Sequence, residues 1–126
     1  MEIDHQINFI VINRQAKSLY SLIADGQYRN TSLGRNMWKT LIGSQASLQP
    51  NCNKEGFNAA GTESSMPRAR IGILSNEQND CNSNDSRIGF GTGGEHDDSN
   101  TCGNVAEFKA DNGDKHIKAM GYILVQ

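Results

Sequence analysis

Between residues 75 and 104 the chain reads SNEQNDCNSNDSRIGFGTGGEHDDSNTCGN, in which Ile88 and Phe90 are the only large apolar side chains. A stretch this long with almost nothing to bury is uncommon inside a folded domain, and is usually a functional loop or disordered. It holds six asparagines, four aspartates and two glutamates against one arginine. Such a density of oxygen donors is what a hard cation such as calcium requires, since it takes roughly six to eight carboxylate, amide and backbone oxygens on a flexible loop. Bound calcium would turn mutual repulsion among the carboxylates into cross-linking. Composition alone leaves a second reading open, in which the segment is a solvated excursion held by a disulfide.

Two motif matches within the stretch fail on inspection. Asp80, Asn82 and Asn84 have the opening spacing of an EF-hand loop. The sixth position is then Asp85 where glycine is needed, and the twelfth is Gly91 where a bidentate glutamate belongs. Gly89, Gly91 and Gly94 match a dinucleotide fingerprint on paper. The residues that follow, Glu95-His96-Asp97-Asp98, would repel a pyrophosphate and do not begin an apolar helix.

The rest of the chain supplies a modest core. At 126 residues it is one domain's worth, or part of one. Its 12 basic and 14 acidic residues argue against a nucleic-acid or polybasic membrane partner. No apolar run approaches the roughly 18 residues that span a bilayer. Ile7–Ile12 reads as a buried strand. Lys17–Ala24 carries Leu19, Leu22 and Ile23 at helical spacing, with Ser18 near its start and Gly26 just beyond its end. A second short helix is expected over Asn36–Ile42, stopped by Gly43, with Trp38 and Phe57 as core anchors. Residues 44–66 read as loop, and Arg70–Leu74 as a short buried strand. Ala106–Ala110 and Ile117–Val125 read as strands joined by a tight turn at Asp111-Asn112-Gly113-Asp114. The expected class is α+β and β-rich, with long ordered loops.

Cys52, Cys81 and Cys102 all sit in polar contexts, and none forms a CxxC pair. With His5, His96 and His116 scattered along the chain, a zinc site is not expected from spacing. A Cys81–Cys102 bridge would leave Cys52 for a partner elsewhere, in upstream sequence or another chain; three unpaired thiols are the alternative. The opening Met1-Glu2-Ile3-Asp4-His5-Gln6 lacks the basic and apolar pattern of a secretory leader. The expectation is nevertheless a secreted protein whose chain is truncated here. Asn30-Thr31-Ser32 and Asn84-Asp85-Ser86 are glycosylation sequons compatible with secretion. No serine or cysteine has a recognisable histidine and acid context, so no catalytic residue is assigned and the chain is not read as an enzyme.

Several segments resemble the C-terminal half of intelectins, which are calcium-dependent lectins distantly allied to fibrinogen-like domains. They are Tyr28-Arg29-Asn30-Thr31-Ser32-Leu33, Trp38-Lys39-Thr40-Leu41, Ile71-Gly72-Ile73-Leu74-Ser75-Asn76-Glu77, Ile88-Gly89-Phe90-Gly91, Cys102-Gly103-Asn104 and the run from Ile117 to Gln126. The phrasing of residues 85–126, with Asp85-Ser86-Arg87-Ile88-Gly89-Phe90-Gly91 at its start, is closer still to fibrinogen/intelectin-related extracellular proteins of corals, some of them in the skeletal organic matrix. The resemblance implies the C-terminal part of a fibrinogen/intelectin-like domain over residues 1–126, with residues 75–104 as a calcium loop.

By position, it carries calcium-holding roles onto Asn76 and Glu77, then Asn82, Asn84 and Asp85, then Glu95 or Asp97, and finally Asn104. Asp85 stands where intelectins have a histidine, and Asn104 where they have an aspartate. The aromatic pocket that flanks the sugar has no secure counterpart. The function implied is secreted, calcium-dependent recognition of carbohydrate or extracellular matrix. The alternative is a structural matrix component with no specific small ligand.

Overall fold

Both helices form where the chain signals them. In the computed structural model, which describes residues 1–126, Ser18 caps α1 (Leu19–Ile23). Ser18 Oγ accepts from the Ser21 amide at 3.1 Å, and Ser21 Oγ accepts from the Ser18 amide at 3.3 Å. This reciprocal arrangement satisfies two amides that the helix itself cannot. Helix α2 (Arg35–Thr40) is followed by Gly43 at φ 97°, a conformation glycine adopts without strain.

A two-stranded hairpin, β1 (Glu2–Ile3) with β2 (Gln6–Ile7), opens the chain. The main sheet has six antiparallel strands, each hydrogen-bonded to its neighbour in sequence. They are β3 (Arg29–Asn30), β4 (Asn51–Ala60), β5 (Arg68–Asn76), β6 (Ser86–Gly93), β7 (Cys102–Ala106) and β8 (Lys115–Lys118). Directly paired residues share a face, so register decides which side chains meet. One face carries Phe57 opposite Ile71 and Ile73 opposite Ile88. These join Trp38, Leu41, Ile42 and Leu48 in a single buried cluster, with α2 packed on the sheet.

The other face is built differently. Gly56, Gly72, Gly89 and Gly103 pair in succession across four strands. A Cβ on Gly89 would stand 2.4 Å from the Ile71 carbonyl oxygen, and one on Gly72 2.3 Å from that of Ile88. Neighbouring backbones therefore exclude side chains along the row. Two residues further along, the same face presents Leu74, Arg87, Val105 and His116, again paired strand to strand.

Helix α2 has no side-chain cap of its own. Glu55, from β4, takes that place. Its carboxylate accepts from the Leu33 and Gly34 amides at 3.0 and 2.7 Å, from Thr31 Oγ1 at 2.5 Å and from Trp38 Nε1 at 2.8 Å. Burial pushes this carboxyl up, but the four donors outweigh it and hold it below the usual glutamate range. A depressed folded value means the stabilisation is complete above the ordinary glutamate pKa and is lost as pH falls through the folded one. Glu55→Gln is expected to cost roughly 1.5–3 kcal/mol at pH 7. Urea titrations of both proteins should show that gap narrowing below about pH 4.

Four sequence expectations need correction. Ile7–Ile12 is not a strand: pairing stops at Ile7, and Phe9 and Val11 are exposed. The supposed loop 44–66 contains β4, whose irregular start, with positive φ at Cys52 and Asn53 and a register shift before Lys54, disguises it. The stretch 75–104 contains β6, a strand whose alternate positions are glycine. The C-terminal hairpin exists, but it runs from Cys102–Ala106 to Lys115–Lys118 with residues 107–114 between, and beyond Lys118 only Met120 bridges, to Glu2.

Candidate metal centre

Asp85 and Glu107 flank the paired residues Ser86 and Ala106, so they lie at the same end of β6 and β7. The Glu107 amide donates to the Asp85 carbonyl at 3.3 Å. Loop 94–101 leaves the opposite end of β6, where Gly93 pairs with Arg68. It then folds back so that His96 reaches Asp85, with Nε2 2.7 Å from Oδ1. The return is held by Arg87, which is 1% exposed. Its Nη1 donates to the carbonyls of Gly94 (3.0 Å) and Glu95 (2.6 Å), and its Nη2 to those of Asp97 (2.6 Å) and Asn100 (3.0 Å). Burial pushes the guanidinium down to about 10 against the opposing pull of Asp97 and Asp98, so it stays charged at neutral pH.

Within the loop, Asp98 Oδ1 accepts from the Gly94 amide at 2.8 Å, and from β6 Thr92 Oγ1 donates to the Asn100 carbonyl at 2.9 Å. The result is a convergence of Asp85, Glu95 and His96, with one ligating atom of each within 4.8 Å of the others. Asp85 is positioned from below by Gln49, whose Oε1 accepts from the Asp85 amide at 3.0 Å. Phe108 packs edge-on to the His96 ring at 5.0 Å between centroids. A groove of about 560 Å³, walled by polar residues including Ser64, Ser65 and Arg68, borders Glu95 and His96.

Of the residues carried over by resemblance, Asp85 and Glu95 come together here, and the others do not join them. Asn76, fully buried at the end of β5, donates to the Asp80 carbonyl at 3.0 Å, and its Oδ1 accepts from the Glu77 amide at 2.8 Å. Asn76 thus shapes the loop. Glu77 and Asn82 lie on that 77–85 loop, Asn82 exposed. Asn84 is buried, its Nδ2 donating to the Cys81 carbonyl at 3.2 Å and its Oδ1 unpaired. A buried side chain cannot carry a glycan in the folded protein, so of the two sequons only Asn30 is exposed. Asp97 accepts from Ser99 Oγ at 2.5 Å and faces His116; both hold its carboxyl below the usual range. Asn104 pairs with Ile88 on the core face and bonds both backbone groups of Ser47 at 2.9 Å.

The disulfide is also corrected. It joins Cys52 to Cys81, with Cα atoms 5.2 Å apart, so the partner of Cys52 lies within the chain and Cys102 is the free thiol. Register supplies the reason. Asn51 pairs with Asn76, which sets Cys52 beside the loop that carries Cys81. Cys102 pairs with Phe90, four residues along β7 from Ala106. That places Cys102 about 13 Å of strand from the Ser86–Ala106 end of the sheet, where the 77–85 loop that carries Cys81 joins β6.

Sequence reading missed Arg87, His96, Glu107 and His116 as a group, because strand register sets Arg87 and His116 on one face and the fold-back of loop 94–101 carries His96 to Glu107. Compared with protein-family models, curated proteins and solved structures, the chain matches none of them. The molecule is therefore defined by what it contains: a β-rich fold with two antiparallel sheets, a disulfide, and a carboxylate–imidazole cluster beside a polar groove.

Proposed function

We propose that this chain is a calcium-binding, fibrinogen/intelectin-like recognition domain that acts outside the cell on carbohydrate or matrix, by binding and not by catalysis. The observation that carries this reading is the convergence of Asp85 and Glu95 from two different loops, beside a groove walled by polar groups. Two carboxylates can give up to four oxygens, and calcium takes roughly six to eight. The remaining positions would fall to water or to the vicinal hydroxyls of a ligand. His96 holds the Asp85 carboxylate in place through Nε2. The disulfide suits an oxidising compartment, and no helix is long and apolar enough to cross a membrane.

Calorimetric titration of the oxidised protein is expected to show a calcium site that Asp85→Asn with Glu95→Gln weakens by more than about tenfold, as loss of two charged ligands implies. Unchanged affinity would place the site elsewhere. A second reading, the structural matrix component, draws on Arg87: a protein cation already orders loop 94–100 through four carbonyls. Calcium-dependent retention on a glycan array favours recognition; calcium binding without retention favours the structural role.

A further inference from the structure

Calcium leaves one member of the metal centre unused as a donor. His96 offers a ring nitrogen, and imidazole is a poor partner for a hard cation but a good one for zinc. One ligating atom each of Asp85, Glu95 and His96 lies within 4.8 Å of the others. We propose that this trio binds a borderline divalent cation, zinc, with His96 Nε2 as the third ligand. The proposal rests on the reading of Asp85 and Glu95 as metal ligands and extends it to the ion they take.

Donor count favours zinc. Calcium takes roughly six to eight oxygens, of which two carboxylates give at most four. Zinc takes four ligands, and sites with three protein ligands keep the fourth position for water or a ligand group. The polar groove that borders Glu95 and His96 gives that position access to solvent. His96 Nε2 and Asp85 Oδ1 are 2.7 Å apart. Two ligands of a tetrahedral zinc with bonds of about 2.0–2.1 Å stand roughly 3.4 Å apart, so the pair parts by less than about 1 Å. Glu95 is exposed, so its carboxylate closes on the ion at no cost to the core. Its backbone is held on both sides, the amide donating to the Ser65 carbonyl at 2.9 Å and the carbonyl accepting from Arg87.

The surroundings also suit an imidazole ligand. A metal-bound histidine usually has a carboxylate, carbonyl or water on its other nitrogen, and a ligating carboxylate usually has a donor of its own. Glu107 Oε2 lies 3.6 Å from His96 Nδ1, and Gln49 Nε2 lies 3.5 Å from Asp85 Oδ2. Phe108, edge-on to the imidazole, limits rotation of the ring.

The test is calorimetric titration of untagged, disulfide-intact, chelator-treated protein with zinc, repeated in millimolar calcium. One zinc per chain is expected, with a weaker apparent affinity in calcium because the two ions share Asp85 and Glu95. His96→Gln should abolish saturable zinc binding, and His116→Gln should leave it unchanged. Unaltered thermal unfolding of metal-free His96→Gln would show that the loss is of a ligand and not of the fold. In the parent protein the nitrogen-15 signal of His96 Nε2 should move on zinc addition, as a merely structural ring would not. Zinc binding that calcium does not weaken would remove calcium from the site and leave the zinc assignment standing. Absence of saturable zinc binding in the parent protein, or zinc binding retained in His96→Gln, would overturn the proposal whether or not calcium binds.

Discussion

Arg87→Met is expected to lower unfolding free energy by about 3–5 kcal/mol, since each buried polar group left without a partner costs roughly 1–3 kcal/mol. Methionine fills a similar volume, so the loss comes from four carbonyls left without a donor and not from a cavity. Those carbonyls, of Gly94, Glu95, Asp97 and Asn100, belong to the segment that turns back over the sheet. Arg87→Lys should recover only part of the loss, because an ammonium has three donors and none in a fixed fork. Urea unfolding gives the free energy, and amide exchange should show residues 94–100 opening well before the β4–β5 pair. A loss below about 1 kcal/mol, the size of a single ordinary hydrogen bond, would contradict the role assigned to this side chain.

The second large effect concerns the cysteines. Replacing both Cys52 and Cys81 with serine is expected to cost about 3.5 kcal/mol in the chain-entropy account of a 29-residue separation. The bridge clips loop 77–85 to the irregular start of β4, where the register shift leaves fewer ladder bonds to do so. Cys102→Ser should cost less, since that thiol is only half-buried beside Phe90. Burial pushes the Cys102 thiol up, which makes it slow to alkylate in the folded state. Digestion without reductant should yield one linked peptide pair, Cys52 with Cys81. Recovery of a Cys81–Cys102 pair would contradict the Cys52–Cys81 pairing.

The legible parts of the fold are those whose signal is local. Ser18 announces α1 and Gly43 closes α2, each through backbone chemistry within a few residues of itself. The core of β5 shows because Ile71, Ile73 and Leu74 cluster between polar residues. Strand β6 hides for the opposite reason: Gly89, Gly91 and Gly93 occupy its alternate positions, and glycine in a sequence reads as loop. Only beside Gly72 and Gly103 does Gly89 acquire its purpose, which is the close approach of neighbouring backbones.

The site divides in the same way. Asp85 and Glu95 stood out through the density of acids and by resemblance. His96 is one of three histidines scattered along the chain, and nothing local connects it with Glu107 or His116. Pairing of Arg87 with Val105, and of Val105 with His116, makes that connection. Asn104 illustrates the reverse error. It falls at a position where resemblance implies a calcium ligand, yet parity along β7 turns it to the core face, where Ser47 occupies it.

Thermal unfolding of the oxidised protein, in millimolar calcium and again in excess chelator, tests the central claim most directly, because an ion that binds the native state must stabilise it by mass action. The calcium reading predicts a higher midpoint with calcium for the parent protein, and no difference for Asp85→Asn with Glu95→Gln. Coincident midpoints for the parent protein, or a calcium-dependent rise that survives in the double variant, would contradict it.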